Sequence, residues 1–188
     1  MPILGTVASQ FAGKPFSSFE SIATLTGNGS SGVLNFTNIP QTYTHLQIRA
    51  FARNSAGANL DNFYVNFNEV YATNSYATHW IYGYGGAIAS QQVAPWTLSL
   101  GGFLTAGTGE PNANGGAIVL DILDYTNTNK NTTFKSLNSF NANNQTYSGV
   151  AVASGVFLNT AAITNIRLAC SNSFATTTQF ALYGIKGA

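Results

Sequence analysis

The stretch IPQTYTHLQIRAFARN, residues 39 to 54, decides the fold. Leu46, Ile48, Ala50 and Ala52 alternate with His45, Gln47, Arg49, Phe51 and Arg53. A period of two is the signature of a strand with one face in a core; a helix would repeat its apolar residues every three or four positions. Leu46, Ile48 and Ala50 are therefore predicted to point inward, and Arg49 and Arg53 to lie on the opposite face. The whole chain carries only seven Lys plus Arg in 188 residues. Two of them on one short strand mark that face as a place where something is met, because Arg suits interfaces better than Lys does.

The same pattern extends in both directions. NFYVNFNE sets Phe63, Val65 and Phe67 inward, with Tyr64, Asn66 and Asn68 outward. YATHWIYGYGG puts Trp80, Tyr82 and Tyr84 on one face, and AIVLDILDY is apolar on both faces except at Asp121 and Asp124, as a central strand should be. FESIATLT, VLNFTNI, APWTLSLGGF, TTFKSLNSF, GVAVASGVFL, AAITNIRLAC and TTTQFALYGIKG complete a set of nine to eleven strands divided by Gly, Asn, Ser and Pro turns. No amphipathic helix interrupts them, which excludes α/β architectures with crossover helices. The predicted fold is all-β: an antiparallel, jelly-roll-like β-sandwich over residues 18–188. Residues 1–17, where ASQFAGKPFSS mixes apolar, Gly and Pro residues without a period, are predicted to form an N-terminal arm or attachment segment.

Composition narrows the function. Charged residues make up 7% of the chain while hydrophobic residues reach 45%. The polar surface must therefore come from uncharged side chains, and the chain has 21 Asn and 21 Thr. A surface so poor in charge gives little protection against association and suits a protein whose faces are covered by neighbours. A net charge of +1 provides no basic field for nucleic acid and no polybasic membrane signal. MPILGTVASQF lacks the basic start and the apolar length of a signal peptide, so synthesis in a cytoplasm is expected. Cys170 stands alone, and NIRLACS reads as the setting of a small apolar residue rather than of a nucleophile.

Little catalytic material exists. Asp121 and Asp124 are the nearest approach to a carboxylate pair, but a spacing of three within a strand sends their side chains to opposite faces. Each is expected to pair with a cation or to cap a turn. Asp124 with the carbonyls of TNTN offers oxygen ligands for calcium, but the loop lacks the ligand alternation that calcium loops show. One Cys and two distant His residues do not make a local zinc site. No enzyme activity, metal or cofactor is expected. Trp80, Tyr82 and Tyr84 are candidates for an interface or a glycan-stacking platform, with packing in the core or between subunits the more economical reading. Arg49 and Arg53 are candidate interface residues, with Asp61, Glu69, Asp121 and Asp124 as acidic partners, the last two favoured.

SIATLT with its Gly/Ser turn, IPQTYTHLQIRAFARN, DILDYTNTNKNTTFKSL and the closing FALYGIKG together resemble a family of small proteins encoded among the virion structural genes of tailed bacteriophages, especially marine and cyanobacterial ones. The resemblance spans about residues 18 to 188 and is loosest between about Asn68 and Gly116. It implies a virion component and carries no catalytic residues. The expected function is structural, as a capsid decoration (cement) protein or tail-associated protein packing against other virion proteins, with a homo-oligomer, a trimer by this resemblance, as its form. The alternative is a fibre or tip domain that recognises host-surface glycan.

Overall fold

In the computed structural model, the structure describes residues 18–55, 60–96, 99–106, 115–142 and 146–187. The predicted arm at 1–17 and most of the predicted loop TAGTGEPNANGG lie outside these residues. Twelve strands run in the order β1 (Phe19–Thr26), β2 (Val33–Phe36), β3 (His45–Asn54), β4 (Leu60–Phe67), β5 (Tyr76–Tyr84), β6 (Ala87–Trp96), β7 (Ser99–Ala106), β8 (Gly116–Leu123), β9 (Thr132–Phe140), β10 (Gly149–Phe157), β11 (Ile166–Ala169) and β12 (Gln179–Ile185).

The strands form two antiparallel sheets. One has the order β1-β12-β3-β8-β9-β10-β5-β6. The other has the order β2-β11-β4-β7. They meet where β3 makes a short parallel pairing with β7 at Arg53 and Asn54. Setting aside the hairpins β5–β6 and β9–β10 leaves eight strands, which pair in chain order as 1-8-3-6 and 2-7-4-5. That arrangement is the jelly roll, two interlocked Greek keys. The two hairpins are insertions into it, and both extend the same sheet. One sheet is therefore eight strands wide and the other four.

The core follows the alternation that the sequence shows, except at Asn66, which is predicted outward but is fully buried, its side-chain amide donating to the Val70 carbonyl. Leu46, Ile48, Phe63, Val65, Phe67, Leu120 and Ile122 are all fully buried. The ring of Phe67 lies 5.5 Å from those of Phe134 and Phe157 in edge contacts, and Tyr76 stacks on Phe157 at 5.1 Å. Burying each such aromatic side chain contributes about 1.5–3 kcal/mol. The buried Tyr76 hydroxyl is not orphaned: it accepts a hydrogen bond from the Phe67 amide at 2.8 Å. Burial pushes its phenol far above its ordinary value, so it stays neutral.

Asparagine explains how so uncharged a chain builds its turns. Asn38, Asn68 and Asn74 adopt positive φ, a region that Asn tolerates. The Asn68 side chain accepts from the amides of Thr164 and Asn165 and donates to the carbonyl of Ala162, tying two loops that are distant in sequence. Asn28 accepts from the amides of Ser30 and Ser31 in the turn after β1. The strand count exceeds the predicted range because APWTLSLGGF, read as one strand, takes in the end of β6 and the start of β7. β5 and β6 form a hairpin turned by Gly85 and Gly86, with φ of 59° and 80°. Two consecutive positive φ values mark a type I′ turn, which glycine pairs favour.

Candidate functional site

The wide sheet has an inner face against the core and an outer face with no layer over it among the described residues. The register places three cross-strand rows on that outer face, each running from β3 to β6. The middle row is Arg49, Val119, Leu137, Val152, Ile81 and Ser90, each directly opposite the next. Directly opposed side chains lie about 4.5–5.5 Å apart at Cβ and touch. Four consecutive members of this row are aliphatic, and Leu137, Val152 and Ile81 are 54%, 49% and 59% exposed. The second row runs Phe51, Ala117, Ser139, Val150, Gly83 and Ile88. Val150, Ile88 and Phe51 are also exposed. The third row is polar: Gln47, Asp121, Lys135, Ser154, His79 and Gln92.

Most of this exposed aliphatic surface comes from the inserted hairpins. Leu137 lies on β9, Val150 and Val152 on β10, Ile81 on β5 and Ile88 on β6. An open groove of about 340 Å³ lies among Val119, Asp121, Lys135, Leu137 and Val152, at the centre of the face. Contiguous exposed apolar patches of this kind are uncommon on isolated monomers and mark sites of interaction.

A polar chain borders the apolar row. The Arg49 Nε donates to Gln47 Oε1 at 2.7 Å, and Gln47 Nε2 donates to Asp121 Oδ1 at 2.6 Å. Lys135 Nζ lies 3.5 Å from the other Asp121 oxygen. Arg49 thus meets Asp121 through a glutamine rather than directly. Its guanidinium also lies over the rings of Phe19 and Tyr183, at 5.1 and 6.0 Å, and cation–π contact holds it against the sheet.

Arg49 is on the face opposite the buried Leu46 and Ile48, as the alternation predicts. Arg53 differs from expectation: it is 4% exposed. It sits where β3 passes between the two sheets, so both sides of the strand are covered. There its amide donates to Thr178 Oγ1, and its carbonyl accepts from that hydroxyl and from the Ala175 amide. Arg53 is therefore a seam residue within the protomer and does not belong to the outer face.

Trp80, Tyr82 and Tyr84 do share a face, the inner one. Trp80 is 6% exposed and heads a second buried cluster with Phe140, Ala151 and Ala153. The ring centroids of Trp80 and Tyr82 are 4.5 Å apart, those of Tyr82 and Tyr84 are 5.8 Å apart, and Tyr84 also meets Phe140. The row is packed largely within the protomer and does not present three open ring faces.

The carboxylates make local contacts. Asp124 follows β8 at positive φ, accepts a hydrogen bond from Lys130 and lies 3.3 Å from His45 Nδ1. The Lys130 contact holds its carboxyl below the usual value. Asp61 accepts from the Asn54 amide group and from the Ser171 amide and hydroxyl. Among the described residues no three His, Cys, Asp or Glu side chains gather where they could hold a metal ion. Burial pushes the Cys170 thiol up to about 11, and it donates to the Asn172 carbonyl. At neutral pH it is a protonated, weakly reactive group.

Sequence reasoning missed Leu137, Val150, Val152, Ile81 and Ile88. The signal was present, because TTFKSLNSF and GVAVASGVFL place aliphatic residues on both faces of their strands. Compared with protein-family models, curated proteins and solved structures, the chain gives no significant match.

Proposed function

We propose that the protein is a structural component of a bacteriophage virion, a capsid decoration or tail-associated protein that packs against neighbours through the outer face of its wide sheet. The observation that carries this reading is the aliphatic row Val119–Leu137–Val152–Ile81, half-exposed and bordered by the Arg49–Gln47–Asp121–Lys135 chain. An apolar centre with a polar border containing Arg is the anatomy of a protein interface. The bacteriophage assignment rests on the sequence resemblance. The jelly roll is compatible with it, since viral capsid proteins use this architecture, but lectins use it too, and fold alone does not fix function. Glycan recognition by the Trp80 row gains no support, because Trp80 is buried beneath its own protomer.

Mass spectrometry of gradient-purified particles tests the proposal. The chain is expected in the particle fraction at a fixed ratio to the major structural proteins, and its absence from that fraction refutes the assignment. Binding of the purified protein to host-surface polysaccharide, lost on Tyr82→Ala and Tyr84→Ala substitution, would instead favour the glycan reading.

A further inference from the structure

We infer that the outer face of the wide sheet is a self-complementary surface that pairs with the same face of a second copy about a two-fold axis parallel to the strands. The inference rests on the reading of this face as an assembly surface and adds the identity of the neighbour.

Size is the first argument. The pairing overlaps six strands, β3 to β6 in sheet order. At about 4.8 Å spacing and a length of about six residues at 3.4 Å each, they make a face of roughly 590 Å². Specific interfaces start at about 600 Å² per partner, so one copy of this face against another reaches the lower end of that range.

Chemistry is the second. Face-to-face pairing of identical surfaces requires the axis to lie in the plane of contact. An axis along the rows would set Arg49 against Arg49 and the charged third row against the aliphatic second row. An axis along the strands, between β9 and β10, reverses each row upon itself. Leu137 of one copy then faces Val152 of the other, Val119 faces Ile81, and Phe51 faces Ile88. Arg49 faces the Ser90 end, and the carboxylate of Asp121 faces His79. Every aliphatic member of the middle row meets an aliphatic member, and the one carboxylate on these rows meets an imidazole. The strands of the two copies stay nearly aligned, the arrangement that stacked sheets favour. Asp121 and Lys135 already neutralise one another within each copy, so the pairing brings together no uncompensated field of one sign.

The purified chain is expected to sediment at twice its 19.8 kDa mass. Leu137→Asp, at a position 54% exposed in the protomer, is expected to return it to a monomer with an unchanged far-ultraviolet spectrum. Phe51→Cys with Ile88→Cys, in a Cys170→Ser background, supplies the geometric test. Positions 51 and 88 are separated by the width of five strand spacings, about 24 Å, and cannot bridge within one chain. Treatment with a short bismaleimide, which spans the roughly 10 Å between stacked sheets, is expected to give a covalent dimer and no larger ladder. A wild-type monomer at high concentration, a trimer, a Leu137→Asp variant that remains dimeric, or failure to cross-link would each overturn the two-fold pairing. These failures are separable from failure of the virion reading: a chain present in particles but monomeric in solution loses only the self-pairing, and a cross-linked dimer absent from particles loses only the virion assignment.

Discussion

Gly155 lies on the inner face of β10, directly opposite Phe134 of β9. A Cβ added at Gly155 would fall 2.3 Å from Phe134 Cζ and 2.8 Å from Cε2, inside the ring's van der Waals surface. Phe134 is 2% exposed and held edge-on by Phe67, so the ring has no solvent to swing into. Gly155→Ala must therefore displace packed side chains or separate two central strands. Overpacking of this kind costs about 1–3 kcal/mol, and the rigidity of the Phe67–Phe134–Phe157 cluster places this case near the upper end. For a chain of this length each kcal/mol shifts the melting temperature by about 2–4 °C, so a drop of roughly 5–10 °C is expected. Thermal and urea unfolding followed by circular dichroism measure it. Phe134→Leu should itself destabilise by removing ring contacts, yet the double variant should be at least about 1 kcal/mol more stable than the sum of the two singles, because the shorter side chain makes room for the methyl group. Additive effects, or an unperturbed Gly155→Ala protein, would refute the claim that this glycine exists to admit the ring.

Tyr76→Phe removes the acceptor of the buried Phe67 amide, and unfolding should show a loss of about 1–3 kcal/mol. Cys170, with its thiol pushed up to about 11 by burial, should react with iodoacetamide at pH 8 far more slowly in the native chain than in the urea-unfolded one; equal rates would contradict its burial. The depressed carboxyl of Asp124 binds its proton less readily folded than unfolded, so its stabilisation is present above the ordinary carboxylate value of 3.8 and is lost as pH falls through the lower folded value. Lys130→Gln removes the first cause of that depression and should flatten the acid limb of melting temperature against pH; an unchanged limb would mean that the contact has no weight in solution.

The residues show in physical terms why the jelly roll was legible and the candidate surface less so. Period-two alternation depends on each strand's own core contact, so Leu46–Ala52 and Phe63–Phe67 declare their inward faces without reference to any partner. Arg53 is covered because β7, about fifty residues away, pairs with β3 at that point. Burial imposed by so distant a strand leaves no local pattern. The direct partner of Arg49 is Gln47 on its own strand, and its acid lies one hydrogen bond further on, which a search for carboxylates passes over. The aliphatic row is assembled from β8, β9, β10 and β5, and only the register between inserted hairpins brings Leu137, Val152 and Ile81 side by side. The Gly85–Gly86 turn was readable, since a Gly pair between alternating stretches signals a hairpin.

A density map of the intact particle tests the account most directly. The two inserted hairpins should lie in an interface, with Leu137, Val152 and Ile81 covered by a neighbouring subunit and Arg49 at its border. A map in which every copy leaves that face of the wide sheet open to solvent, and attaches by another surface, would contradict the assembly reading.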